Sequence, residues 1–232
     1  MELAVIARVH APFGSKFGVP RQSGLVPELR SELVFEPAYR SRESLRGLEG
    51  FSHLWLIWGF SENADKGWSP TVRPPRLGGN ARMGVFATRS PFRPNPLGLS
   101  CVRLEGVAWE DPRGPVLLLG GADLLDGTPV YDIKPYVAYA DSVPEATGGF
   151  TGNLAPERLP VSCPEETKAA LPPETWSALE GVLACDPRPG YHSDPDRVYG
   201  LSFAGREVRF TVGEAGVRVL SITEAAQPRK GE

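Results

Sequence analysis

Cysteine occurs only three times in this chain of 232 residues, as Cys101, Cys163 and Cys185. An odd number of widely separated thiols does not build a disulfide framework, so a reducing compartment, the cytoplasm, is expected. Histidine is as scarce: His10, His53 and His192 stand far apart, no Cys/His spacing resembles a zinc site, and a resident metal is not expected. No uncharged apolar run approaches the roughly 18–20 residues that span a bilayer. The amino terminus, MELAVIARVHAPFG, alternates like a strand instead of joining a basic start to an apolar core. Neither a membrane span nor a signal peptide is therefore expected. Signatures of common enzymes are also missing. The chain has no glycine fingerprint between strand and helix, no Walker loop, no G-x-S-x-G elbow and no H-E-x-x-H.

One absence is local. Between Asp65 and Glu105 there is no acidic residue, and the same interval carries Lys66, Arg73, Arg76, Arg82, Arg89, Arg93 and Arg103. The whole chain is acidic by three charges, so this cluster is not background composition. A merely solvated face needs no stiffened backbone, yet Pro91, Pro94 and Pro96 surround Arg93. Arginine on rigid loops grips phosphate or carboxylate with two parallel hydrogen bonds, and its planar head stacks on bases. The interval predicts a site for an anionic ligand.

The remainder reads as strands. Residues 3–9 (LAVIARV) and 31–37 (SELVFEP) alternate apolar and polar positions, while FSHLWLIWGF at 51–60 is apolar on both faces, as a central strand would be. Further strands are predicted at 83–88 (MGVFAT), 99–109, 115–120 and 129–137. Ser41 could cap a short helix carrying Leu45 and Leu48 and stopped by Gly50. Strands this dense, with barely a helix between them, predict a closed or strongly curved sheet instead of βαβ units. A Pro/Gly/Thr/Ala stretch then separates residues 1–145 from the carboxy-terminal part, with 146–165 as linker and 166–232 as a small α+β domain. In that last part PPETWSALEGVLACDPRP predicts one helix presenting Trp176, Leu179, Val182 and Leu183. A hairpin turning at Ala204-Gly205 and a third strand near Val217 to Ile222 follow.

Polar residues cluster at three turns that adjoin strands. The first is Pro20-Arg21-Gln22, inside a long Gly/Pro/Ser-rich loop of a length that is usually functional or disordered. The second is Thr88-Arg89-Ser90 with Arg93 and Asn95. The third is Asp123-Leu124-Leu125-Asp126-Gly127-Thr128-Pro129, followed by Tyr131, Asp132, Lys134 and Tyr136. Asp126-Gly127 is first a turn signal, and Asp132 could simply pair with Lys134 or a nearby arginine. His53, within an apolar strand, reads as a packed histidine, and Cys101 as a small buried residue.

GVFATRSPFRPNPLGLS, LLDGTPVYDIKPYV and PRQSGLVPEL together resemble the TrmO family of tRNA methyltransferases, and DPRPGYHSDPDRVYGLSFAGREVRF resembles the carboxy-terminal module of its bacterial members. The resemblance implies a β-rich fold: a single-sheet β-barrel amino-terminal domain with a small α+β carboxy-terminal domain, assembled as a homodimer. It implies transfer of a methyl group from S-adenosylmethionine to N6 of threonylcarbamoyladenosine at position 37, beside the anticodon, with the tRNA anticodon arm as partner. It also implies cofactor contacts at Pro20, Arg21 and Gln22, at Ser61 and Glu62, at Arg89, at the backbone of Leu99, and at Leu125, Asp126, Gly127 and Thr128.

S-adenosylmethionine offers a carboxylate to arginine, an adenine edge to glutamine or backbone, and a sulfonium that favours acceptors. The N6 nucleophile belongs to a urea, so its lone pair is delocalised and a base would help; Asp126 or Asp132 is the expected proton acceptor. Arg73, Arg76, Arg82 and Arg93 are expected to meet tRNA phosphates or the threonyl carboxylate. Two other readings remain open on the residues. A non-catalytic module that binds S-adenosylmethionine or RNA would bind without turnover. A phosphohydrolase would need metal carboxylates or an activated nucleophile, and no such cluster is visible.

Overall fold

Alternation of apolar and polar residues sets the first strands, and it carries around a sheet that closes on itself. In chain order the strands of the amino-terminal part are β1 (Ala7–His10), β2 (Arg30–Phe35), β3 (His53–Gly59), β4 (Thr71–Val72), β5 (Met83–Gly84), β6 (Leu97–Ala108), β7 (Val116–Gly120) and β8 (Pro129–Pro135). The computed structural model describes residues 2–62, 67–74, 81–152, 158–189 and 194–225. Six strands form a closed barrel in the order β1, β2, β7, β6, β3, β8, and every barrel pairing is antiparallel. Closure removes the exposed edges that an open sheet of this size would have to protect.

The barrel interior is filled by alternate residues. Ala7, Val9, Leu33, Phe35, Leu54, Leu56, Val102, Leu117, Leu119 and Val130 are all buried there. The strand that looked apolar on both faces is indeed central, paired with β6 on one side and β8 on the other. Its outward residues Trp55 and Ile57 stay partly exposed, opposite Cys101 and Leu99.

Two local expectations differ. MGVFAT does not run on as a strand: after Gly84 the backbone tightens into a single 3-10 turn over Val85–Ala87. The Thr88 N–H and hydroxyl both bond the Val85 carbonyl, at 3.1 and 2.9 Å, and that local closure outcompetes sheet pairing. The Ser41–Gly50 segment forms two short 3-10 turns, Arg42–Leu45 and Leu48–Gly50, because Gly47 between them takes a left-handed φ of 85°.

After a single helical turn α1 (Ala138–Asp141), the carboxy-terminal part contains β9 (Val161–Ser162), α2 (Glu165–Lys168), α3 (Pro173–Ala184), β10 (Tyr199–Phe203), β11 (Arg206–Gly213) and β12 (Gly216–Glu224). They form a sheet ordered β10, β11, β12, β9, to which the stretch read as linker contributes β9. The β10–β11 hairpin turns at Ala204 (φ 49°) and Gly205 (φ 73°), as a tight turn with two left-handed residues requires. Leu179, Val182 and Leu183 of α3 are buried against Leu201, Val208, Phe210 and Val219 of the sheet, while Trp176 is partly buried with Lys168 over its ring.

This second core is not confined to the carboxy-terminal part. Phe13, Val26 and Leu29, from the long loop between β1 and β2, are buried in it, and Phe17, Val19, Leu25 and Leu125 pack on its edge. The Phe13 ring meets Phe203 edge-on at 5.4 Å, and Ala204 N donates to Pro12 O at 2.7 Å. Gly18 shows how close the contact is: its φ is 90°, and an added Cβ would stand 2.3 Å from Leu201 Cδ1. Gly18→Ala therefore adds a left-handed strain to a clash, and a loss of about 1–3 kcal/mol is expected in urea unfolding.

Candidate functional site

An antiparallel barrel sends every second connection to the same end. The loops β1–β2 (11–29), β3–β6 (60–96) and β7–β8 (121–128) thus emerge together at one rim. These are the three segments in which polar residues cluster at turns. Backbone bonds knit them to one another: Asp126 N donates to Phe13 O at 3.0 Å, Gly127 N to Val9 O at 2.8 Å, and Gly24 N to Gly121 O at 2.9 Å. Gly127 takes a φ of 76°, and the buried Thr128 closes the turn by donating its hydroxyl to Leu125 O at 2.8 Å.

Two concavities lie at this rim. The smaller, about 170 Å³, is walled by Trp58 and Phe60, by Ser61, Glu62, Leu125 and Thr128, and by Asp123. The larger is a groove of about 1560 Å³ that takes in Arg21, Gln22, Arg73, Arg82, Phe86 and Arg89. Among the described residues four arginines line it, and no carboxylate does. Arg89 donates to the Gln22 side chain, linking the first and second loop segments directly. Phe86 stands at the groove wall with 73% of its surface exposed, Arg93 over its ring.

The structure thus brings together most residues singled out from the sequence, in two groups. Ser61, Glu62, Leu125 and Thr128 share the small cavity, while Arg21, Gln22, Arg89, Arg73 and Arg82 share the groove. Pro20 is buried at the base of its loop. Others lie apart from both concavities. The Asp126 carboxylate accepts the Ala11 N–H at 3.2 Å and lies 3.4 Å from His10 Nδ1, which makes it a brace between two loops. Asp132 faces out from β8, 3.0 Å from Lys134 Nζ. Leu99 sits in the β6 ladder opposite Ile57, with 54% of its surface exposed. Arg93 donates to the carbonyls of Val85 and Thr88 at 3.2 and 2.6 Å, so it shapes the arginine loop from within. Arg76, like Lys66, lies outside the described residues.

One residue of the third cluster, Asp123, has no role in the sequence reading. Asp123 follows β7 inside an apolar stretch and is among the residues that line the small cavity. Ser100 donates its hydroxyl to Asp123 Oδ1 at 2.7 Å and receives the Trp58 indole N–H at 3.0 Å. Burial raises the Asp123 carboxyl above the ordinary carboxylate range, against the opposing pull of Ser100, its own backbone, the Arg89 charge and the Ser23 N–H. A carboxyl among VLLLGGADLL is the one sequence signal that could have marked it. Among the described residues no group of three or more His, Cys, Asp or Glu side chains is placed to hold a metal.

A small antiparallel barrel carries at its rim an arginine groove suited to an anionic ligand, beside a cavity of aromatic rings and carboxylates. Comparison with known proteins gives the chain its family. Residues 8–142 match the tRNA-methyltransferase O N-terminal domain and residues 156–225 the TrmO C-terminal domain. The chain belongs to the tRNA-methyltransferase O family. It is 43% identical to the tRNA (adenine(37)-N6)-methyltransferase of Escherichia coli K12 over 225 residues, 94% of this chain and 95% of that one. It is 49% identical to the protein of the same name from Eikenella corrodens, over 76% of this chain and 99% of that one. A crystal structure of TrmO from Pseudomonas aeruginosa superimposes with a TM-score of 0.77 at 36% identity, covering 97% of each chain.

Proposed function

We propose that this tRNA (adenine-N6)-methyltransferase takes its methyl group from S-adenosylmethionine and delivers it to N6 of threonylcarbamoyladenosine at position 37. The observation that carries the reading is the adjacency of the two concavities at one rim, with Asp123 in the cavity wall and within the electrostatic reach of Arg89 in the groove. Methyl transfer needs two ligands held end to end, and alignment alone supplies several kcal/mol of the barrier.

The chain's own groups fit the donor. Trp58, Phe60 and Glu62 offer aromatic and carboxylate surroundings suited to a sulfonium or ammonium, and Arg21 and Arg89 suit its carboxylate. When bound, S-adenosylmethionine supplies an electrophilic methyl group. Ser61, Leu125 and Thr128 complete the cavity wall, while Pro20, Asp126 and Gly127 hold the loops that bear these contacts. We assign the groove to the tRNA anticodon arm. Arg73 and Arg82 suit its phosphates, and the exposed Phe86 suits stacking on an unpaired base. Names given to relatives support the donor: a Pseudomonas aeruginosa protein 43% identical to this chain is named, provisionally, as an S-adenosylmethionine-dependent methyltransferase.

The enzyme is further proposed to act as a cytoplasmic homodimer. All three cysteines are free thiols, as a reducing compartment favours. No helix among the described residues is long and apolar enough to cross a membrane. The outward apolar surface where Leu99 adjoins Ile57 and Trp55 supports a second copy as its cover.

The test is nucleoside mass spectrometry after incubation with S-adenosylmethionine, using threonylcarbamoylated and unmodified tRNA. Methylation of the modified tRNA alone is expected; binding without turnover would favour a non-catalytic module. In calorimetric titration, Arg21→Ala and Arg89→Ala are each expected to weaken S-adenosylmethionine by about ten- to a hundredfold, the worth of a hydrogen bond to a charged group. Unchanged affinity in both would remove this rim as the donor site.

A further inference from the structure

We propose that Asp123 is the general base of the reaction: its carboxylate accepts the N6 proton of the adenosine as the methyl group arrives. The inference rests on the function proposed above. Three carboxylates sit in or beside the third loop, and their surroundings differ. Asp126 is occupied with the Ala11 N–H and His10, and Asp132 with Lys134; neither lines a concavity. Asp123 lines the small cavity and is coupled to Arg89 of the groove, so it stands where the two ligands would meet. The other carboxylate of that cavity, Glu62, is open to solvent and 3.8 Å from Lys16 Nζ.

Its surroundings fix the carboxylate of this cavity-lining residue. The Trp58–Ser100–Asp123 chain of hydrogen bonds runs from β3 through β6 and fixes the side chain's orientation. Arg89, from the arginine loop, faces it with the one charge that favours ionisation. Lys16 and Glu62 complete the charged groups of the cavity wall. A base must be ionised near neutral pH yet basic enough to take a proton, and a carboxyl raised by burial meets both needs better than an exposed one.

The bookkeeping of atoms closes. The N6–carbon bond forms as the donor's sulfur–carbon bond breaks, the sulfonium leaves as a neutral thioether, and the N6 proton ends on an Asp123 oxygen. With Ser100 and Arg89 favouring the ionised form and burial opposing it, the single-turnover rate should climb as pH rises through the raised Asp123 pKa and then level off.

The experiment combines two readouts on the full chain. Carbon-13 NMR of the carboxyl groups, recorded without donor or tRNA, is expected to show one titration above the ordinary carboxylate range that vanishes in Asp123→Asn and moves to higher pH in Ser100→Ala. Single-turnover methylation of threonylcarbamoylated tRNA is expected to fall by about two to four orders of magnitude in Asp123→Asn, with S-adenosylmethionine affinity retained. In Ser100→Ala the midpoint of the rate profile should follow the NMR shift. A wild-type-like rate and profile in Asp123→Asn would overturn the proposal. If Asp123→Asn does not fold, Ser100→Ala decides: a rate profile that stays put while the NMR titration moves would overturn it equally. Should the wild-type chain itself fail to methylate the modified tRNA, it is the functional reading that fails, whatever the titration shows.

Discussion

Phe13→Ala is expected to cost about 3–5 kcal/mol of unfolding free energy and, in the same variant, to weaken S-adenosylmethionine binding. Phe13 has no exposed surface and belongs to the core of the carboxy-terminal sheet, although it sits only three residues beyond β1 of the barrel. Its ring leans on Phe203, its neighbour Pro12 accepts the Ala204 N–H, and its own carbonyl accepts the Asp126 N–H. Removing the ring therefore opens a cavity at the junction that anchors both the Arg21–Gln22 loop and the Leu125–Thr128 loop. Leu183→Ala is the control. That residue is equally buried in the same core, but it belongs to α3 and not to the Pro12–Phe13 segment that bonds Ala204 and Asp126, so it should lower stability without a matching loss of donor affinity. Urea unfolding and calorimetric titration at a temperature where all three proteins are folded would decide. Equal donor affinity in Phe13→Ala and wild type would mean that the carboxy-terminal module stabilises the chain without organising the site.

That junction also marks where the sequence stopped being legible. The barrel strands declared themselves by alternation, because a closed sheet with one face buried leaves a period of two in LAVIARV or SELVFEP. The loop from 11 to 29 carries buried Phe13, Val26 and Leu29 with no period at all, spaced among Gly, Pro and Ser. Such spacing reads as a loop, and what its apolar residues would meet lies nearly two hundred residues on. Carboxylates misled in a related way. Asp126 and Asp132 stand beside a turn glycine and tyrosines, so local polarity favoured them as bases, whereas Asp123, at the head of the same cluster, follows an apolar run. Burial, which separates a tuned carboxyl from a solvated one, is a property of the fold and not of the neighbouring letters. MGVFAT illustrates the same limit at short range: its β-branched and aromatic residues favour a strand, but the Thr88 hydroxyl four residues after Gly84 closes a turn instead.

The arginine interval, in contrast, was legible from composition alone, and it leads to the second large effect. Reversing both Arg73 and Arg82 to glutamate should lower tRNA affinity by about two orders of magnitude at low salt, since each site loses a phosphate contact and gains a repulsive one. Both residues line the groove, where among the described residues no carboxylate offsets them. Because the chain as a whole is acidic by three charges, general attraction to RNA cannot substitute for the lost pair. The salt dependence carries the decisive information. Each phosphate contact contributes close to one unit to the slope of log affinity against log salt, so the double variant should show a slope shallower by about two. Donor affinity should stay at the wild-type value, since the donor is assigned to the small cavity with Arg21 and Arg89 and not to this pair. Fluorescence anisotropy with a labelled tRNA anticodon arm, titrated at several salt concentrations, measures both affinity and slope. A slope that does not change would mean that the phosphates are met elsewhere, and that the groove, for all its arginines, reads only the threonyl carboxylate of the modified base.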